Sequence, residues 1–378
     1  MVNDMFEKFS TLVVCLFCLF SHLYSALEVR ISTPKNKEQS VILDKKFNEY
    51  ARKKNQSLET SCYFDREFLK EVKNVRLMLH EKDKGERFFV TTTDNVVVYG
   101  TFFDRNSKEL LVIGPGFPVP REKMAPFLLL FPDYDLVIFD YRGQGLDHAN
   151  VDYSLSSPIS IVRKFVHTLC RIDFNASRLG LIEEKDVIAV VAETRKRKSY
   201  TQVFGLGLCY SAYIFAKAAA LSPNLFDKLI LDGSWPTIAP VIDEIIKYPL
   251  LICAKQPPRS PCLYITNQKC WQYLMQQITQ ALVIGDFKTM EPISTHLQGI
   301  RCPILFFQCR NDCYCSLSTF EELWSVTQGT HVSYKAVIFT DNLHGRNHMH
   351  QCAEYKELAN WFLRCDQDSF VQNIMSVS

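Results

Sequence analysis

The chain carries no glycine-rich phosphate loop and no complete dinucleotide fingerprint; Gly205-x-Gly207 stops one glycine short of the latter. Nothing in it therefore points to nucleotide-dependent chemistry. An excess of one charge is also missing, since the formal net charge is +2 over 378 residues, so there is no global basicity to hold nucleic acid. No internal repeat or low-complexity tract is evident, which removes repeat architectures. His344, His348 and His350 share one short loop, but with Cys313 and Cys315 they lack the paired spacing of a zinc site. No metal or cofactor is expected. What the chain has is apolar substance: 47% of its residues are hydrophobic, enough for one large core with an appended segment.

The most informative stretch is Val203-Phe204-Gly205-Leu206-Gly207-Leu208-Cys209-Tyr210-Ser211-Ala212. It reads as a buried strand running into a sharp turn, and Tyr213 to Ala220 continues as a run of helix formers. A strand-to-helix elbow of this kind lifts a nucleophile into a cleft, and the positions two before and two after its apex must be small. Gly207 and Ser211 flank Cys209 at that spacing. With Ser211 at the apex, Cys209 and the bulky Tyr213 would stand there instead. Cys209 is thus the candidate nucleophile, set against the plainer reading of one more buried cysteine.

Other segments supply a sheet for this elbow. Leu110 to Ile113 reads as a strand ending in Gly114-Pro115-Gly116-Phe117-Pro118, and Leu136 to Phe139 as one ending in Asp140-Tyr141-Arg142-Gly143-Gln144-Gly145. Arg121 to Phe131 between them has the length of a helix. After the elbow helix, Asp227 to Ser234 forms a further strand and turn. Strands alternating with helical segments imply a mostly parallel sheet with helices on both faces. Ligands then bind at the carboxyl ends of the strands.

With these motifs the sequence resembles the α/β-hydrolase superfamily. The resemblance rests on the Gly116-Phe117 turn, the Asp-x-Arg-Gly-x-Gly run from Asp140 to Gly145, the Gly207 to Ser211 elbow, and an acid and a histidine late in the chain; it covers about residues 86–366. Two departures stand out. Many members carry His-Gly where this chain has Pro115-Gly116, and most carry serine where it has Cys209. Cysteine there is similar to the dienelactone hydrolases and to the polyester synthases of the superfamily.

A thiol nucleophile needs a base, and the base an orienting carboxylate. Pro303 to Gln308 reads as a strand running into Cys309-Arg310-Asn311-Asp312, and the order nucleophile, acid, histidine that the resemblance implies selects Asp312 over an ordinary turn aspartate. Asp232, after the preceding strand, is the reserve acid. Ala336 to Thr340 reads as the next strand; His344 follows it soonest and precedes Gly345, so His344 is preferred as base over His348, which with His350 would open the last helix. At a helix amino terminus the macrodipole would favour a Cys209 thiolate. It would attack a carbonyl carbon, with the oxyanion held by the backbone amides of Tyr210 and Phe117. His344, held by Asp312, would protonate the leaving group and activate water.

The resemblance thus implies a hydrolase of ester, thioester or lactone bonds acting on a small acyl substrate. An acyltransferase of the same fold, or a catalytically silent scaffold keeping the architecture, are the alternatives. Residues 235–300 are too long for an ordinary loop and read as a mostly helical lid inserted before the acid-bearing strand, with helical apolar spacing from Trp271 to Leu282. The lid's apolar residues suit an acyl group or their own packing equally. Arg195-Lys196-Arg197-Lys198 reads as a solvated loop between a crossover helix and the elbow strand.

Phe9 to Leu27 is uncharged and strongly apolar with Lys8 ahead of it, within a segment 1–27 read as a signal peptide or single membrane anchor; Ser25 and Ala26 allow cleavage. Export or anchoring at a membrane is expected. Residues 28–85 read as a polar, partly helical lead-in and 367–378 as a tail. Of 14 cysteines, Cys15 and Cys18 lie in the apolar segment, and an oxidising compartment would allow disulfides among the others. Cys309, Cys313 and Cys315 crowd the loop of Asp312, where a bridge would fix the acid.

Overall fold

The computed structural model describes residues 85–117, 119–145, 180–235, 291–309, 334–339, 347–350 and 352–365, with Ser177, Asp312, Cys315, Phe320, Leu323, Trp324, His344 and Gly345. The apolar amino terminus, the lead-in up to residue 84, the lid segment 236–290 and the tail lie outside the described residues. Among the described residues eight strands form one sheet: β1 (Glu86–Thr91), β2 (Val97–Phe103), β3 (Glu109–Gly114), β4 (Asp135–Phe139), β5 (Gln202–Leu208), β6 (Lys228–Asp232), β7 (Ile304–Cys309) and β8 (Tyr334–Phe339). Their order across the sheet is β1-β2-β4-β3-β5-β6-β7-β8. Strand β2 runs antiparallel to both its neighbours, β1 and β4, and every pairing from β4 to β8 is parallel.

The six parallel strands read as near-continuous apolar runs because helices cover both faces. Alternate side chains go to opposite faces. Val112, Val137, Phe139, Leu231 and Phe306 pack with α2 (Glu184–Arg197) and α3 (Tyr210–Leu221). Their neighbours Leu111, Ile113, Leu136, Ile138 and Phe307 pack with α1 (Ala125–Leu130) and α6 (Cys352–Arg364). Helix α6 buries Tyr355, Leu358, Ala359, Phe362 and Leu363, one stripe at helical spacing, and leaves Glu357 and Arg364 outside. Two shorter helices, α4 (Ile293–Leu297) and α5 (Asn347–His350), stand before β7 and α6. No helix of the described residues is long and apolar enough to cross a membrane.

Three buried cations tie elements that are remote in sequence. Arg142, in the turn after β4, donates from Nε and Nη2 to Asp186 Oδ1 of α2 at 2.8 and 2.7 Å, and from Nη1 and Nη2 to Asp94 of the β1–β2 turn at 2.7 and 3.1 Å. Its hydrogen bonds hold Asp94 well below the usual carboxylate range. Arg121 pairs with Asp140 at the end of β4, and its amide also donates to that carboxylate at 2.7 Å. Lys228 donates to the carbonyls of Phe362, Leu363 and Cys365, which terminate α6.

The basic run Arg195 to Lys198 is helical and not a loop, with Arg195 and Lys196 exposed to solvent as expected and Arg197 and Lys198 half-buried. Arg195 to Arg197 form the last turn of α2 and Lys198 its C-cap. Basic side chains at a helix carboxyl terminus meet the negative end of its dipole, and long stems let them cover apolar surface. Arg197 lies 4.9 Å from the Phe88 ring centroid and pairs with Glu86, while Lys198 reaches Asp135 at 3.0 Å.

The Arg142 knot generates a stability prediction. In Arg142→Met the Asp186 carboxyl stays fully buried without its ion-pair partner, at a cost of about 3–5 kcal/mol near pH 7.5. Burial already pushes the paired Asp186 carboxyl up to about 7, and loss of Arg142 raises it further, so the deficit shrinks on acidification towards pH 5 as the variant takes up this proton at higher pH than wild type. Urea denaturation at both pH values measures the two deficits.

Candidate active site

Strand β5 ends at Leu208 and α3 begins at Tyr210, so the whole change of direction falls on Cys209. Its backbone sits at φ 54° and ψ −113°, a region costly for a non-glycine residue, by about 1–3 kcal/mol. Neighbouring bonds hold it there. The Cys209 amide donates to the carbonyl of Asp232 at 2.7 Å, and its carbonyl accepts from Ala212 at 2.9 Å. Strand and helix approach so closely that a Cβ on Gly207 would lie 2.6 Å from the Ser211 carbonyl oxygen. Buried Ser211 donates to the carbonyl of Pro115 and accepts from Tyr141 at 2.8 Å, binding the elbow to the turns after β3 and β4. The two flanking positions are thus small for the reason the spacing suggests.

The loop after β3 passes beside this elbow. A Cβ on Gly116 would stand 3.5 Å from the Cys209 Cβ, and the Phe117 ring lies 5.4 Å from the Tyr210 ring. Phe117 and Tyr210 are therefore neighbours flanking Cys209. The thiol itself is half-buried, in contrast to buried Cys302, Cys309 and Cys315.

Asp312 and His344 meet across 32 residues of sequence. His344 Nδ1 is 2.6 Å from Asp312 Oδ2, with the ring proton on Nδ1 donated to the carboxylate. Asp312 Oδ1 accepts from the Cys315 amide at 2.9 Å, and Gln308 Nε2 lies 3.3 Å from its other oxygen. Burial alone would lower the His344 pKa. The charges of Asp312 and Cys209, with the hydrogen bond to Asp312, outweigh it and push the pKa well above the ordinary histidine value. The structure thus pairs His344 with Asp312 beyond the carboxyl end of β7, with the ring close enough to Cys209, beyond β5, to feel its charge.

The other candidates fall elsewhere. His348, on α5, is buried between the rings of Phe127 and Tyr355, 4.4 and 6.0 Å away, as an element of the core. Asp232 is buried behind the histidine, bonded to Asn347 Nδ2 at 2.8 Å. Cys309 and Cys315 are not bridged to each other: the first donates to Asn347 and the second to the Ser234 carbonyl, so peptide contacts of the Cys315 loop steady Asp312. Among the described residues no cluster of His, Cys, Asp and Glu is gathered to hold a metal ion.

Sequence reading missed Gly233. Its φ of +71° directs the chain away from β6, and a Cβ there would lie 2.9 Å from His344 Cε1. The imidazole rests on bare backbone. The Asp-Gly turn at the strand end was the available signal, but the contact to a residue 111 positions on was not. Gly233→Ala is predicted to move the ring from Asp312. Proton NMR at pH 6 should lose or shift the far-downfield Nδ1–H resonance of His344 in that variant; an unchanged resonance refutes the packing.

No family model matches the chain, and no curated protein matches it in sequence. The fold does have counterparts among solved structures. Three crystal forms of an esterase from Pyrococcus furiosus superpose with TM-scores of 0.55, 0.53 and 0.51 at 16% identity, each covering 74% of this chain and 91, 90 and 92% of the esterase. Together with the mostly parallel sheet, its flanking helices and the strained residue between β5 and α3, this likeness establishes that the chain has the α/β-hydrolase fold.

Proposed function

We propose that the protein is a hydrolase of ester bonds, extending to thioesters or lactones, that works through a Cys209-His344-Asp312 triad and an acyl-thiol intermediate. The observation that carries this reading is the 2.6 Å bond from His344 to Asp312 in a ring that also feels the charge of Cys209. That arrangement is the nucleophile, base and orienter of covalent catalysis. The likeness in fold to an esterase is consistent with it.

In the resting site His344 carries a proton donated to Asp312, and Cys209 attacks as the thiolate of a thiol–imidazole pair. The thiolate adds to the substrate carbonyl carbon, and the carbonyl electron pair moves onto oxygen. The backbone amides of Tyr210 and Phe117 receive this oxyanion, each such donor contributing about 3 kcal/mol to the transition state. Collapse breaks the bond to the leaving oxygen, which takes the proton from His344 Nε2. The sulfur is now a neutral thioester, and His344 has given up its Nε2 proton. The ring is free to act as base. It removes a proton from water as the water attacks the thioester, and expulsion of the thiolate restores the starting pair. With an alcohol, amine or thiol in place of water the same steps give acyl transfer.

Residues 1–27 would deliver the enzyme to an exported or membrane-anchored location. The substrate is a small acyl compound entering at the carboxyl edge of the sheet, with no cofactor required.

The test is an activated short-chain p-nitrophenyl ester offered to protein lacking the apolar amino terminus. Wild type should turn over with a covalent adduct on Cys209, and Cys209→Ala should lose both the turnover and the adduct. Unchanged turnover in Cys209→Ala refutes the thiol mechanism, and no turnover or adduct over several ester and thioester lengths favours the silent scaffold.

The raised His344 pKa fixes the pH dependence. A histidine whose folded pKa lies above its unfolded value of about 6.5 adds stability fully below that value, and the gain is lost as pH rises through the folded pKa. Loss of the ring proton also removes the acid for the leaving group. The acylation rate should hold through neutrality and fall on the alkaline side, with the Tm falling in the same range. In His344→Gln, both alkaline limbs should disappear. Stopped-flow acylation and thermal melts across pH 5–10 check this.

A further inference from the structure

Behind His344 lies a buried polar chain that the proposed mechanism does not use. Asn347 opens α5 three residues after the histidine, is fully buried, and commits both ends of its amide. Its Nδ2 donates to Asp232 Oδ1 at 2.8 Å, and its Oδ1 accepts the Cys309 thiol at 2.9 Å. Asp232 is the last residue of β6 and Cys309 the last of β7. One side chain therefore joins two strand ends to the segment that carries His344.

Asp232 touches the site from a second direction. Its carbonyl accepts the Cys209 amide at 2.7 Å, and Gly233, its neighbour, is the surface on which the His344 ring lies. Burying a carboxyl costs several kcal/mol unless its partners compensate. Burial pushes the Asp232 carboxyl up to about 7; of the groups facing it, Asn347, the His344 imidazole and the Tyr355 hydroxyl favour its anion, and Asp312 opposes it. A well-packed apolar residue would fill the same volume without that cost. A carboxyl group here is therefore explained by what it holds.

We propose that Asp232 and Asn347 are positioning residues: the Asp232 carboxyl, through the Asn347 amide, fixes the backbone that presents His344 over Gly233 between Cys209 and Asp312. Neither residue meets the reacting atoms. The inference deepens the reading above and rests on the pairing of Cys209 with His344 in it.

The experiment reads that pairing without any ester. Alkylation of Cys209 by iodoacetamide, followed by intact mass from pH 5 to 9, reports the reactive thiolate. Asn347→Ala and the near-isosteric Asn347→Leu should each lower the rate at pH 6 by about tenfold or more, towards an unassisted thiol. Asp232→Leu should do the same. Asp232→Asn keeps an oxygen to accept from Asn347 and should stay within about threefold of wild type, because the bond and not the charge is what positions the loop. Thermal melts establish which variants are folded at the assay temperature. Folded Asn347 variants with a wild-type profile overturn the proposal, and so does an Asp232→Asn rate as low as that of Asp232→Leu. Asp232→Asn applies the second criterion even where the larger changes unfold the chain. If alkylation responds as stated while no ester or thioester is turned over, the positioning role stands and the hydrolase reading falls.

Discussion

A single residue, Cys209, has to turn a buried strand into a buried helix, and it does so with a backbone conformation that a non-glycine side chain resists. Such strain persists only where the surroundings leave no alternative. Here they are specific: the amide is taken by Asp232, the carbonyl by Ala212, and the gap between Gly207 and Ser211 leaves no room for another side chain at Gly207. The adjacent strand thus supplies an acceptor at the point where β5 ends, which requires β5 and β6 to be in register, Leu208 opposite Asp232. The sheet's pairing and the elbow's geometry constrain one another. The outcome is a half-buried sulfur at the amino end of α3, where the helix dipole favours an anion.

The rest of the site is built on the same edge by the same means. Parallel strands end together, so residues just beyond β3, β5, β6 and β7 converge although they are separated by long stretches of chain. Gly116 and Phe117 arrive from β3, Asp232 and Gly233 from β6, Asp312 from β7. Ser211 knits the first of these to the elbow from beneath, through Pro115 and Tyr141. The buried Arg142 holds the turn after β4 against both α2 and the β1–β2 turn. Rigidity at the edge comes from polar contacts among loops, set upon a core whose side chains alternate strictly between the two faces.

How much of this the sequence could disclose follows from the range of each interaction. Strands at Leu110 to Ile113 and Leu136 to Phe139 were legible because apolar runs bounded by glycine turns are local signals, and each is observed one or two residues longer. The elbow was legible because its steric rule operates over five residues. The small residues at 207 and 211 act as that rule requires. Arg195 to Lys198 misled in part, because charge density suggests a solvated loop, whereas Arg197 spends its guanidinium on the rings of Phe88 and Phe102 in strands read only as the start of the domain. The thiols of Cys309 and Cys315 misled similarly: clustering in sequence suggested a bridge, while each meets an acceptor that lies 38 or 81 residues away. Asn347 gave no signal at all, since an asparagine opening a helix is read as a cap.

Choosing His344 over His348 shows where position alone ends and packing begins. Both follow β8 within a few residues, and both are largely buried. One ring packs against those of Phe127 and Tyr355 within the core. The other lies on the bare backbone of Gly233 between a carboxylate and a thiol, which together outweigh the burial that would strip its proton. What separates them is four positions of chain and the side chains already waiting at the ends of β6 and β7. An imidazole becomes a candidate base because its neighbours are fixed before it arrives: Asp312 through the Cys315 amide, and Cys209 through the strained turn after β5.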